Sequence, residues 1–181
     1  MTIDVAEKTS NSTTAEQQEV MPEKLISKES YSAIDKWIAK YPPENKQAAV
    51  IPALHIIQEA NDGYLTTPLM DELAAYLEMP QISVYEVASF YSMYAHKPVG
   101  KHKISICTNI SCMLRGSETI VKHLEDKFGI KLGETTKDGK FTIKEVECLG
   151  ACVGAPMCLI GRDYHENLTP EKIDAILEQL D

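Results

Sequence analysis

The chain has 181 residues, 44% of them apolar, and a formal net charge of −9. That length allows one large domain or two small ones with a real core. With no region basic and no apolar run as long as a bilayer is thick, a phosphate-reading nucleic-acid surface and a membrane span are both excluded.

Residues 1–29 are rich in Ser, Thr, Glu and Gln, with little to bury, and are expected to form a mobile tail. Its acids and its lack of an apolar stretch fit neither a secretory signal nor an Arg-rich transit peptide, so a reducing cytoplasm is the expected compartment. Residues 30–98 have a helical pattern. Ile34, Trp37, Ile38 and Tyr41 mark one face of a helix that Pro42-Pro43 stops. A second helix runs from Asn45 toward Ala60, with Pro52 kinking it or setting its start, and Asn61-Asp62-Gly63 ends it. Thr67-Pro68 is expected to cap a third, and Ser83-Val-Tyr-Glu86 reads as a capping box for a fourth. Four short helices imply a small bundle whose acids form a solvated face. The stripe Phe90, Tyr91, Met93 and Tyr94 is expected to pack in its core, and His55 at its boundary.

After Pro98-Val-Gly100 the period changes to two. "KHKISICT" is a strand ending at Cys107, residues 112–128 a helix, and "FTIKEVEC" a strand ending at Cys148. "MCLIG" and Asp163-Tyr-His165 are further strands, and Thr169-Pro170-Glu171 opens a last helix. The order β-α-β-β-β-α over residues 99–181 gives a small sheet with helices packed on it, so the fold class is α+β.

Five cysteines punctuate this second half. Cys107 and Cys112 form C-x4-C after one strand, and Cys148 and Cys152 form C-x3-C after another. In a reducing compartment such pairs are metal-binding or catalytic sooner than disulfides. If the two strands are parallel neighbours, four thiolates meet at one sheet edge, a donor set for an iron–sulfur cluster or structural zinc. Gly116, Gly150 and Gly154 would let backbone approach inorganic sulfide, a helix start at Cys112 would favour negative charge, and Leu149, Val153 and Met113 would exclude water. Zinc usually takes shorter spacings, a dithiol redox site would need C-x-x-C, and buried unligated thiols are the bland alternative. Cys158, alone in an apolar strand, reads as core. His96, His102, His123 and His165 have no partner at metal-ligand spacing, the last two being expected at the surface. There is no G-x-G-x-x-G after a strand and no P-loop, so no nucleotide site is expected in this chain.

The stretches "LHIIQEANDGYLT", "VYEVASFYSMY", "ICTNISCMLRGSE", "TKDGKFTIKEVECLGACVGAPM" and "LTPEKIDAILEQL" together resemble the thioredoxin-like [2Fe–2S] subunits of respiratory complex I, the E-type subunits of NADH–quinone oxidoreductases. The resemblance runs from about Tyr31 to Leu180. It implies an N-terminal helical bundle domain, a thioredoxin-like [2Fe–2S] ferredoxin domain, and one [2Fe–2S] cluster on Cys107, Cys112, Cys148 and Cys152. It further implies electron transfer beside the FMN of a partner flavoprotein subunit that oxidises NADH, within a complex at the cytoplasmic side of a bacterial membrane. The cluster in that family lies off the main path to quinone and is proposed to hold one electron, limiting the lifetime of a flavin radical. The equivalent small subunit of a NAD-dependent formate dehydrogenase or a multimeric hydrogenase shares the same features. A free-standing ferredoxin would need no helical appendage, and a zinc-stabilised interaction module is the reading from a different class.

Overall fold

The computed structural model describes residues 25–180. The expected tail lies outside these residues except for 25–29, which are built into the helical part. There the Glu72 carboxylate accepts from the backbone N–H of Leu25 at 2.8 Å, and Ile26 is buried. α1 (Lys28–Ile38) starts at Ser27, whose hydroxyl accepts from Ser30 N at 3.1 Å. The second expected helix is two pieces, a 3-10 stretch over Pro43–Ala49 and then α2 (Val50–Ala60). Pro52 is the third residue of α2, in the first turn, where a missing N–H breaks no internal bond. α3 (Thr67–Leu77) is capped by Thr66, one residue before the expected cap, with Oγ1 accepting from Leu69 N. α4 (Gln81–Phe90) begins after Pro80, so Ser83 lies in its first turn and the expected capping box does not form.

These helices enclose one core, built from Ile34, Leu54, Ile57, Leu73, Leu77, Val84 and their neighbours. Three acids of this region, expected on a solvated face, instead tie helix to helix. Tyr31 donates to Glu72 at 2.6 Å, Tyr76 to Asp35, and Tyr85 to Asp71. Burial, then the Glu72 carboxylate, pushes the Tyr31 phenol well above its ordinary value, so it stays a donor. Of the aromatic stripe, only Tyr94 joins the core, donating to Ile51 O at 2.9 Å. Phe90 is 80% exposed, and Tyr91 and Met93 are exposed as well, because α4 ends at Phe90 and the helical period that aligned them stops there.

The second half is a four-stranded sheet of order β2-β1-β3-β4, from β1 (His102–Cys107), β2 (Phe141–Val146), β3 (Cys158–Ile160) and β4 (Asp163–His165). β1 and β2 are parallel, with Cys107 opposite Val146, while β3 runs antiparallel to both β1 and β4. The connection from β1 to β2 carries α5 (Ile110–Leu114) and α6 (Ser117–Phe128), separated at Gly116, which adopts φ 95°. α7 (Pro170–Leu177) follows its Thr169 cap. Ile104, Ile106 and Ile143 face α6 and α7 in a second core with Leu124, Ile160, Ile173 and Leu177. Each such buried side chain contributes roughly 1.5–3 kcal/mol. Alternation turns Lys103 and Ser105 to the other face, where they line an open cleft of about 1520 Å³ beneath α2. The segment after α4 bridges the two halves. Gln58 donates to Met93 O and accepts from Ala95 N at 2.8 Å, while Lys103 donates to Met93 O and Lys144 to Ser92 O.

Candidate metal centre

The parallel pairing of β1 and β2 brings both cysteine pairs to one sheet edge. Cys107 is the last residue of β1 and is buried, with its N–H on Met157 O at 3.2 Å. Thr108 N bonds Val146 O at 3.1 Å and extends the register by one step. Asn109 then turns the chain, its Oδ1 accepting from Ile110 N, and α5 delivers Cys112, also buried. β2 stops at Val146, two residues before its expected end, and Glu147 O accepts from the Cys107 thiol at 3.6 Å. Cys148 and Cys152 follow on the exposed side, Cys152 opening a 3-10 turn over Cys152–Gly154.

Cys112 feels two of the other three thiols. Burial pushes the Cys112 thiol up to about 11, and its hydrogen bond with Cys107 and the charges of Cys107 and Cys152 push the same way. A backbone N–H from Met157 opposes them. A second backbone donor, Gly150 N, points at Cys148 Sγ at 3.4 Å, presented by a φ of 78° that suits glycine. Four thiols and two inward N–H groups are the donor chemistry of a cluster with thiolate ligands, whose iron offsets the cost of burying negative sulfur. Among the described residues no three His, Cys, Asp or Glu side chains converge on a single point. A two-iron cluster takes two thiolates per iron, and two cysteine pairs supply that number.

The surroundings depart from expectation in three ways. Leu149 and Ala151 do pack with Cys107, Cys112, Ala155 and Met157, forming the inner wall. Val153, however, is 94% exposed, and Ile110, Met113 and Leu114 stand around the cysteine loops facing solvent rather than shielding the thiols. α5 has only five residues, so Cys112 lacks the N-terminal field of a long helix. Gly154 does not open space toward the sulfurs. An added Cβ there would fall 2.6 Å from Glu166 Cβ and closer still to its carboxyl group. The 166–168 segment and the Ala155–Met157 wall carry no motif of their own, and only the Ala-Pro-Met run after the second pair hints at them. Cys158 is fully buried in β3, and burial pushes its thiol up to about 12, as a core position requires. His123, expected at the surface, bonds Asp174 at 2.9 Å, and His55 packs at a tilt against Tyr94 with its ring pKa lowered by burial.

A family profile described as thioredoxin-like [2Fe–2S] ferredoxin matches residues 34–181. The chain is 50% identical over 153 residues to the E-type subunit of the NADH-quinone oxidoreductase of Rickettsia bellii, covering 84% of this chain and 92% of that one. It is 42% identical over 155 residues to the mitochondrial NADH dehydrogenase [ubiquinone] flavoprotein 2 of Dictyostelium discoideum, covering 86% and 63%. In fold it is similar to a chain of a NAD+-reducing [NiFe]-hydrogenase. That match has a TM-score of 0.63 and 24% identity, over 72% of this chain and 22% of the hydrogenase chain.

Proposed function

The chain belongs to the thioredoxin-like [2Fe–2S] ferredoxin family, and from that premise we propose that it is the electron-transfer subunit of the NADH dehydrogenase module of an NADH–quinone oxidoreductase. Cys107, Cys112, Cys148 and Cys152 hold its single [2Fe–2S] cluster. The observation that carries this reading is the parallel register of β1 and β2, which ends both strands at one edge, one cysteine pair starting at the last residue of β1 and the other on the loop after β2.

When bound, the cluster supplies a site that takes up and returns one electron. The chain's own residues do the rest. The N–H groups of Gly150 and Met157 stabilise charge on Cys148 and Cys112. Leu149, Ala155 and Met157 keep water from the inner side. The exposed rim of Ile110, Met113, Leu114 and Val153 surrounds the loops with apolar surface, as suits a protein partner brought close for electron transfer. That partner is a flavoprotein subunit carrying FMN and oxidising NADH. The assembly sits on the cytoplasmic face of the membrane that holds the remaining subunits. Among the described residues no helix of this chain is long and apolar enough to cross a membrane.

Anaerobic purification of the full chain, with iron and sulfide analysis and EPR before and after dithionite, tests the reading. Two irons and two sulfides per chain, silent when oxidised and giving an S = ½ signal when reduced, are expected. Cys107→Ser and Cys148→Ser should lose the cluster while Cys158→Ala keeps it. A colourless wild-type chain with one zinc, or full iron in either serine variant, would remove the assignment.

A further inference from the structure

The loop that carries Cys152 is fastened to a segment far along the chain. Asn167 N donates to Gly154 O at 2.6 Å, and Leu168 N donates to Pro156 O at 2.9 Å. Leu168 is buried, which anchors the segment from below, and Lys172 Nζ holds the Glu166 carbonyl at 2.5 Å from the first turn of α7. The backbone of Glu166 is therefore held by its neighbours, and its side chain, exposed on its outer side, lies over Gly154 in the space a Cβ would fill. Gly154 is two residues from Cys152, so their Cα atoms are no more than about 7.6 Å apart. The carboxylate forms none of the chain's ion pairs among the described residues, since Lys172 binds the backbone oxygen.

We propose that the negative charge of Glu166, seated on Gly154, lowers the reduction potential of the cluster held through Cys152. This rests on the cluster assignment above. Reduction adds one electron, and so one negative charge, to a site already carrying thiolates and sulfide. A carboxylate held near it opposes that addition, and its neutral isostere does not. A glycine at 154 is what lets the side chain lie there, and the two bonds from 167 and 168 hold the backbone that carries it.

The test is an EPR-monitored redox titration of the cluster-loaded full chain, with dithionite as electron donor through mediators. Glu166→Gln should raise the ratio of reduced to oxidised cluster at a fixed poise roughly two- to five-fold, the carboxylate being exposed, with iron and sulfide content unchanged. Gly154→Ala, which displaces the carboxylate, should move the ratio in the same direction. The double variant should move it no further than Glu166→Gln alone. A ratio in iron-loaded Glu166→Gln equal to that of wild type would overturn the role of Glu166 while leaving the cluster assignment intact. A wild-type chain that binds no iron would overturn the cluster assignment itself, so the two failures are distinct. Should Gly154→Ala fold poorly, the glutamine variant still decides the question.

Discussion

Gly100 sits where β1 leaves the segment joining the two halves, and Gly100→Ala tests how closely the two parallel strands are fitted. A Cβ there would meet backbone alone, at 2.8 Å from the carbonyl carbon of Phe141, 2.9 Å from its nitrogen and 3.0 Å from the carbonyl carbon of Lys140. Ordinary contact begins near 3.4 Å, so the strands must part by roughly half an ångström, and no flexible side chain is available to yield. Three bonds lie in that gap: Gly100 N to Thr142 Oγ1 at 2.6 Å, Lys101 N to Gly139 O at 3.0 Å and His102 N to Lys140 O at 2.8 Å. Each contributes about 0.5–1.5 kcal/mol, and overpacking adds about 1–3 kcal/mol. Allowing for partial relaxation, the variant should lose about 2–4 kcal/mol. Urea unfolding of the metal-free full chain, wild type against variant, measures it as a fall in midpoint at unchanged slope. Cys107 lies at the opposite end of β1, so cluster stoichiometry should not change. A loss under about 0.5 kcal/mol, within the range of an ordinary surface substitution, would show that the strands yield freely there and that the close fit is not a constraint.

Cys148 and Cys152 are exposed whereas Cys107, Cys112 and Cys158 are buried. Mass-spectrometric mapping of iodoacetamide labelling should find the first two modified at least about ten-fold faster, since the others react only after local opening; equal rates for all five would contradict the burial pattern. Asp174 accepts from Lys127 at 2.7 Å and His123 at 2.9 Å, and these bonds, Lys127 first, hold its carboxyl below the ordinary Asp value of 3.8. A depressed carboxylate stabilises the fold above its unfolded pKa and loses that contribution as pH falls through the folded one. Asp174→Asn should therefore cost up to about 1 kcal/mol at pH 7, and the gap from wild type should close below about pH 4. Stability curves that stay parallel down to pH 2 would rule out the ion pairs as its source.

Much of the architecture is written in local patterns. The alternation around Ile104 and Ile106, the capping threonine before Pro170 and the proline at the start of α2 are short-range signals, and the structure agrees with each. Errors arise where a local signal competes with a neighbour. Thr66 and Thr67 are equally able to cap α3, and only the backbone geometry selects the first. Ser83 and Glu86 satisfy the capping-box pattern, yet Pro80 opens α4 two residues before Ser83 by fixing the backbone itself. Gly100 marks only a change of period in the sequence, whereas its role is the close approach to Phe141, a contact across forty residues of chain. At the candidate metal centre, the spacing points to both cysteine pairs and the sheet edge they share. It does not tell which apolar neighbours face inward: Leu149 packs while Val153 does not, because hydrophobicity alone does not say which way a turn points. Glu166 is invisible for a related reason, since its partner Gly154 is distant in sequence and the contact depends on an absent side chain.

The sheet has unequal margins, one covered and one short. On the β2 side, Gly133 N bonds Ile143 O at 2.7 Å, Thr136 N bonds Phe141 O at 2.8 Å and Ile143 N bonds Glu134 O at 3.3 Å, so residues 133–136 occupy the outer backbone groups. On the other side, β4 is only three residues long, with Asp163 at its start. An incoming extended chain finds little continuous ladder to pair with, which guards against edge-to-edge aggregation. Strand pairing is thereby a poor route to association at this sheet, and recognition there can be selective for the shape of a folded partner rather than open to any exposed strand.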